Sequence, residues 1–407
     1  MKIIYLHQYF KTPSMAGGTR SYEMARRLVS AGHEVHVVTS RTDQPAHGGS
    51  WSQEVIDGIQ VHWLPVTYSN SMGFVKRLQA FFRFALKAGK YASSIKADVV
   101  FATSTPLTIA IPGVKAARTI GAPMVFEVRD LWPEIPIALG VLRSPVTKFF
   151  AKKLESWAYR NSNQVVGLSS GMCDGIVRTG YPRERVHLIP NSSDMELFSV
   201  PKTLGAEFRQ ARPWLEDRPL VVYAGTFGKV NGVGYLVEVA KHSLSLDPEV
   251  RFLAVGEGAE WSEVEQKAES EGVLNRNFFM EPAVTKAEMP ALLNAATITT
   301  SLVINNKALW HNSANKFFDS LAAGRPIFVN HGGWQAELLA KSGAGFQTPA
   351  NDPAAAAELI VTFIKNPGAA DAAGLAALKL ARTEFDRGRL ANKLEHVLKL
   401  AVGDSVE

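Results

Sequence analysis

The chain has 407 residues, 46% of them hydrophobic and 20% charged, with a formal net charge of +6. That length is too great for one ordinary core and points to two domains, and that balance excludes a disordered chain. The single Cys173 excludes an intramolecular disulfide, and the longest apolar tract, Val99 to Val114, is broken by Thr, Ser and two prolines and is no membrane span. The N-terminus runs straight into a strand pattern without the design of a secretory signal, so the expected location is cytoplasmic. Charge is uneven: residues 1–195 carry +10 and the remainder −4. A basic first half suits nucleic acid, anionic lipid or a pyrophosphate-bearing substrate, and charge alone does not choose among them.

In chain order, Ile3-Ile-Tyr-Leu reads as a buried strand. Tyr22, Met24, Ala25, Leu28 and Val29 then carry a helical stripe that ends near Gly32. Glu34-Val-His-Val-Val-Thr, Ile59-Gln-Val-His-Trp-Leu, Val99-Val-Phe-Ala, Met124-Val-Phe-Glu-Val and Gln164-Val-Val-Gly-Leu repeat the strand signal, with helices between. Near Leu188-Ile-Pro-Asn the pattern pauses, then restarts at Leu220-Val-Val-Tyr-Ala, Phe252-Leu-Ala-Val, Asn277-Phe-Phe-Met, Thr297-Ile-Thr-Thr-Ser-Leu and Ile327-Phe-Val. Strands alternating with helices imply parallel sheets. The expected class is α/β, with two Rossmann-like doubly wound domains facing across a cleft. Residues 1–195 and 196–385 form the domains, and 386–407 a helix packing back across the junction. Open sheets of this kind bind ligands beyond the carboxyl ends of their strands.

Four loops fall at those ends. Thr12-Pro-Ser-Met-Ala-Gly-Gly-Thr-Arg20 follows the first strand and opens a helix, so Gly17, Gly18 and Thr19 offer backbone N–H groups to an anion. Ala224-Gly-Thr-Phe-Gly-Lys-Val-Asn-Gly232 takes the matching place in the second half, with Thr226 and with Lys229 as a point charge for phosphate. Val255-Gly-Glu-Gly258 adds Gly256 and Glu257. Val125-Phe-Glu-Val-Arg-Asp-Leu-Trp-Pro-Glu134 crowds Arg129 and Asp130 at a strand end. Glu127 alternates with them, toward the cleft or into a salt bridge within the domain; the pattern leaves both open.

Ser313-Ala-Asn-Lys-Phe-Phe-Asp-Ser-Leu-Ala-Ala-Gly-Arg-Pro326 predicts a helix from about Asn315 to Ala323. Phe317, Phe318 and Leu321 share one side, while Lys316 and Asp319 look out together on the other, with Ser313 and Asn315 as candidate N-caps. No Asp-x-Asp, no Cys/His cluster of ligand spacing and no Gly-x-Ser-x-Gly elbow occurs, so metal-dependent and triad chemistry have nothing to stand on. Two Phe-rich helices, Phe74 to Tyr91 with Lys76, Arg77, Arg83, Lys87 and Lys90, and Val146 to Trp157 with Lys148, Lys152 and Lys153, are candidates for an anionic membrane surface.

Gly-Gly-Thr19, Glu127-Val-Arg-Asp-Leu-Trp-Pro-Glu134, Ile189-Pro-Asn191 and Asn315-Lys-Phe-Phe-Asp-Ser-Leu-Ala-Ala-Gly-Arg-Pro326 together resemble a bacterial family 4 glycosyltransferase of the two-Rossmann-domain (GT-B) type. Within that family the chain is most similar to the branch that builds O-antigen, capsule and colanic-acid repeat units, including L-fucosamine transferases. The resemblance implies a retaining transferase without a metal or other cofactor, in which a UDP-sugar donor sits mainly on the second domain and the acceptor mainly on the first. It implies donor contacts from Gly17, Gly18, Thr19, Thr226, Lys229, Gly256, Glu257, Asn315, Lys316 and Asp319. Glu127, Arg129, Asp130 and His311 would be the catalytic group. Family members carry two glutamates eight residues apart; here the second position is Asp319 and the first is His311, a departure. Where many members have a His before the first domain's acidic residue, this chain reads Arg129-Asp130.

The expected reaction moves an N-acetylated sugar onto a polyprenyl-pyrophosphate-linked saccharide. It takes place at the inner face of the cytoplasmic membrane, which is reached through the basic helices, with no nucleic-acid partner. The alternatives are a nucleotide-sugar 2-epimerase of the same fold, or a non-catalytic basic protein that binds nucleic acid or membrane.

Overall fold

The computed structural model describes residues 1–15, 17–41, 50–66, 73–192, 194–201 and 203–403. Ala16 of the first loop, the side chains of Phe74, Val75 and Arg77, and 404–407 of the expected terminal segment lie outside the described residues. The chain forms two compact units, Met1–Pro190 with Arg387–Glu407, and Asn191–Asp386.

The first unit holds a sheet of β1 (Lys2–Leu6), β2 (Glu34–Arg41), β3 (Ser52–Ile56), β4 (Ile59–Pro65), β5 (Val99–Thr103), β6 (Met124–Val128), β7 (Gln164–Gly167) and β8 (Val186–Leu188). Their order is β3-β4-β2-β1-β5-β6-β7-β8. Every neighbouring pair is parallel except β3 with β4. Strands buried on both faces need apolar residues in unbroken runs, and Val99-Val-Phe-Ala meets that need in β5, which is buried at every position. Alternate residues of β1 serve opposite cores: Ile4 and Leu6 join one, Ile3 and Tyr5 the other. The second of these cores also takes Leu390, Leu394, Val397 and Leu398 of the helix Arg387–Val402, which therefore belongs to the first unit.

The second unit has β9 (Leu220–Ala224), β10 (Arg251–Val255), β11 (Phe278–Glu281), β12 (Ile298–Ser301), β13 (Ile327–Val329) and β14 (Gly345–Gln347). They are parallel throughout, in the order β11-β10-β9-β12-β13-β14. Both sheets are Rossmann-like and doubly wound. Each reverses its winding once, between β1 and β5 and between β9 and β12, and at such a point the strand ends leave a crevice for ligands.

Three strands carry no signal in the sequence. β3 is an antiparallel edge strand exposed at almost every position, and β8 and β14 have three residues each. The helix expected at 315–323 spans Asn315–Ala322, and its apolar side packs Phe317 and Phe318 against Trp334.

Candidate functional site

In the second unit, Lys316 stands at the first turn of the helix Asn315–Ala322, and its ammonium group lies against the loop that follows β9. Its Nζ donates to Tyr223 Oη at 3.1 Å and to Asn231 Oδ1 at 3.0 Å, and sits 4.5 Å from the centre of the Tyr223 ring. Tyr223 Oη in turn donates to the Thr226 carbonyl at 2.7 Å, and Asn231 Nδ2 donates to the same oxygen at 3.0 Å. All of these partners are neutral, and no carboxylate lies within ion-pair distance of Lys316 among the described residues. Desolvation without a counter-charge lowers its pKa to about 7.

The same loop is clamped by the one after β10. Gly225 N donates to the Val255 carbonyl at 2.9 Å, and Phe227 N to the Glu257 carbonyl at 2.8 Å. A Cβ on Gly256 would lie 1.8 Å from the Gly225 carbonyl oxygen, and one on Gly258 would lie 2.3 Å from that of Phe227. These two glycines let the loops touch backbone to backbone. Thr226, Lys229 and Glu257 are left exposed at the rim.

The expected caps are not found. Ala314 is the N-cap residue, with no side-chain capping bond. Ser313 holds the first residue of the same unit instead: its Oγ accepts from Asn191 N at 3.2 Å, and its carbonyl accepts from Asn191 Nδ2 at 2.5 Å. No side chain therefore caps the first N–H groups of this helix. Asp319, expected to look outward, is 7% exposed, and its Oδ2 accepts from Lys286 Nζ at 2.7 Å. Lys286 was not legible as a site residue; it comes from the loop after β11, 33 residues away. His311 is half-buried just past the short turn Lys307–Leu309, and the next residue, Asn312, accepts through its carbonyl from Trp334 Nε1 at 3.1 Å. His331, in the loop after β13, is buried, and its pKa is lowered by burial and by the nearby charge of Lys316.

In the first unit, Glu127 takes the salt bridge of its two open readings and has no surface left for a substrate. It is 0% exposed. Its Oε1 accepts from Arg20 Nη2 at 2.7 Å and Nε at 3.1 Å, and its Oε2 accepts from Thr103 Oγ1 at 2.6 Å. Burial pushes its carboxyl up, but the Arg20 guanidinium, joined by the charge of Arg129 and the bond from Thr103, more than offsets this and holds it below the usual range. Arg20 also donates to the carbonyls of Pro190 at 2.7 Å and Ile189 at 2.9 Å, so one buried pair ties the first loop, β6 and the exit of the unit together.

Arg129 and Asp130 are held differently. Arg129 N donates to Ser104 Oγ at 3.0 Å, and Asp130 Oδ2 accepts from Thr105 Oγ1 at 2.9 Å. Burial raises the Asp130 pKa. Gly17 and Gly18 are exposed, and Thr19 is buried as the N-cap residue of the helix Arg20–Ser30 without a capping side-chain bond. These three sit in the first unit, whereas the other expected donor contacts are in the second.

Two Rossmann-like domains, with Gly-rich loops at strand ends and an unneutralised lysine beside one of them, define the GT-B class of glycosyltransferases. A sequence model of the glycosyl transferase 4-like domain matches residues 16–192, and one of the glycosyl transferases group 1 matches 206–379. The chain belongs to the family 4 glycosyltransferases. It is similar to the putative colanic acid biosynthesis glycosyl transferase WcaI of Escherichia coli K12, 24% identical over 69% of this chain and 72% of that protein. It is likewise similar to the probable glycosyltransferase WbjE of Pseudomonas aeruginosa, 24% identical over 71% of each. Among solved structures, sucrose-phosphate synthase from Thermosynechococcus elongatus superimposes with a TM-score of 0.79 at 16% identity, covering 99% of this chain and 100% of that one. Anabaena Alr3699/HepE in complex with UDP and glucose does so with 0.71 at 18%, covering 98% and 100%. Both establish the GT-B fold.

Proposed function

We propose that the chain is a retaining glycosyltransferase that moves a sugar, an N-acetylated one by this reading, from a UDP-sugar to a polyprenyl-pyrophosphate-linked saccharide, in the assembly of O-antigen, capsule or exopolysaccharide repeat units. The observation that carries the donor side is Lys316, a desolvated amine with only neutral partners beside the loop after β9. Departure of the nucleotide diphosphate puts negative charge on a phosphate oxygen, and a preorganised cation with backbone N–H groups stabilises that charge. The HepE structure with UDP and glucose and the colanic-acid name of WcaI support the donor and pathway class.

The acceptor oxygen attacks the sugar's C1 on the face that the diphosphate leaves, the C1–O bond to phosphate breaks, and the acceptor's proton passes to the departing phosphate. No nucleophile from the protein and no metal is required in this route. Asp319 accepts ribose hydroxyls through Oδ1 while Lys286 holds its Oδ2. Asp130 orients the acceptor, and Glu127 acts only by fixing Arg20.

Attachment to the inner face of the cytoplasmic membrane runs through the first unit. The helix Pro145–Arg160 exposes Val146, Phe149 and Phe150, the last at 65%, beside Lys152 and Lys153. The helix Phe74–Ala92 exposes Leu78, Phe82 and Leu86 near Arg83. Apolar side chains flanked by cations suit an anionic lipid surface. No helix among the described residues is long and apolar enough to cross a membrane.

The test is a panel of UDP-, GDP- and dTDP-sugars against polyprenyl-diphosphate-linked mono- and disaccharides. Transfer from a UDP-sugar is expected, with retention at C1. No transfer from any donor would remove the reading, and donor turnover to an epimer without acceptor would replace it with a 2-epimerase.

A further inference from the structure

Arg129 follows β6, and His7 follows β1 at the point where the first sheet reverses. Arg129 Nη1 lies 3.3 Å from His7 Nε2, and a guanidinium can only donate. His7 Nε2 is therefore the acceptor, and in the neutral ring the proton sits on Nδ1. His7 is 4% exposed, and its Nδ1 has no hydrogen-bond partner. A buried N–H without an acceptor is rare in folded proteins, and it marks a place where an oxygen belongs.

The cation beside it has no ion-pair partner, although the carboxyls of Glu127 and Asp130 lie near enough to feel its charge. Among the described residues no carboxylate lies within ion-pair distance of Arg129. Glu127 is committed to Arg20 and Thr103, and Asp130 is turned to Thr105. A half-buried guanidinium whose side chain is bonded to a neutral imidazole lacks the directly bonded counter-ion that usually accompanies such burial.

We propose that Arg129 and His7 form an oxyanion-binding subsite of the first unit, taking a phosphate or carboxylate group of the acceptor. Arg129 supplies charge and two-pronged donors, and His7 Nδ1–H supplies a third donor whose direction is fixed by Arg129 itself. The inference rests on the proposed function only for the word acceptor; the subsite stands on this geometry alone. Phosphate would come from a lipid-linked diphosphate, and carboxylate from an acidic sugar.

The experiment uses the full chain labelled with 15N in its histidine rings, with the His7 signals assigned by their loss in His7→Phe. At neutral pH the free protein should show Nδ1 protonated and Nε2 bare; the opposite tautomer or an imidazolium overturns the proposal. Inorganic pyrophosphate and glucuronate are then added separately, each with the second unit already saturated with UDP. A shift of His7 Nδ1 with pyrophosphate alone assigns phosphate, a shift with glucuronate alone assigns carboxylate, and a shift with neither overturns the subsite. Arg129→Met should weaken the responding anion about tenfold to a hundredfold, the scale of losing a charged hydrogen bond. Unchanged affinity in that variant also overturns it. Because Arg129→Met leaves the buried His7 Nε2 without its donor, a moderate fall in melting temperature is expected, and binding is read below it. If it does not fold, calorimetry on His7→Asn, which keeps an N–H near the Nδ1 position, and on His7→Phe replaces it: the first should bind the anion and the second should not, and equal binding counts against the proposal. UDP titration of the unsubstituted chain is read separately, so loss of donor binding, which sinks the proposed function, cannot be confused with loss of this subsite.

Discussion

Arg20 in the first unit and Lys316 in the second are both cations held near the carboxyl ends of parallel strands, and the two are handled in opposite ways. Arg20 is matched by a carboxylate and two carbonyls, and every bond it makes is internal. Lys316 meets a phenol and an amide, neither of which carries charge. Charge that is neutralised inside the fold holds the fold, and charge left open awaits a counter-charge from outside. Arg129, only two residues beyond Glu127 in the chain, stands between the two: no carboxylate pairs with it among the described residues, yet Glu127 and Asp130 both feel its charge.

The contrast can be broken most forcefully at the closed pair. Glu127→Ala strands a fully buried guanidinium, so it should lower stability by about 3–5 kcal/mol in urea unfolding. If it instead leaves stability intact while abolishing transfer, Glu127 belongs among the substrate contacts after all. Lys316→Met is next, with an expected fall in kcat/KM of about 10²–10³, the scale of one preorganised donor. It should also change the pH dependence of folding. Between pH about 7 and the ordinary value of 10.5 the unfolded chain holds a proton on Lys316 that the folded chain does not, so that residue makes stability rise with pH across this window. The variant's stability should be flatter there, as read from melting temperatures at stepped pH.

A finer measurement follows proton release or uptake on UDP binding, by calorimetry in buffers of different ionisation enthalpy. At pH about 8 Lys316 is mostly neutral before binding and is charged by the incoming diphosphate, so up to about one proton should be taken up. At pH about 6 it is already protonated and uptake should vanish. Uptake that persists in Lys316→Met would assign it to another group. The smallest effect is expected of Lys286→Met, which frees Asp319 without removing it: a rise of a few-fold in donor KM with little change in kcat, and recovery in Lys286→Arg.

Much of this fold was legible because strands buried on both faces announce themselves as apolar runs, as Val99-Val-Phe-Ala does. β3 was not, since an exposed edge strand such as Ser52-Gln-Glu-Val-Ile has no buried face to pattern it. The helix Asn315–Ala322 was readable from its Phe pair, but the bonding partners of its polar side were not. Tyr223 lies 93 residues from Lys316, and periodicity along one helix says nothing of what another loop brings to it. Ser313 shows the same limit: it has the right chemistry for a cap, and Asn191, 122 residues away, takes it for another purpose. His7 left no motif at all. Its signal exists only as an unused nitrogen in three dimensions.

The helix Arg387–Val402 fills the core on β1, yet it is made after the whole of the second unit. During synthesis the second unit can close as soon as Asp386 has cleared the ribosome, whereas the first must keep the faces of Ile3, Phe10 and Leu28 uncovered until Leu390, Leu394 and Val397 arrive. The domain that begins the chain is thus the last to be finished. A nascent chain stopped short of that helix would expose apolar surface for quality control to recognise, while its other half was already folded.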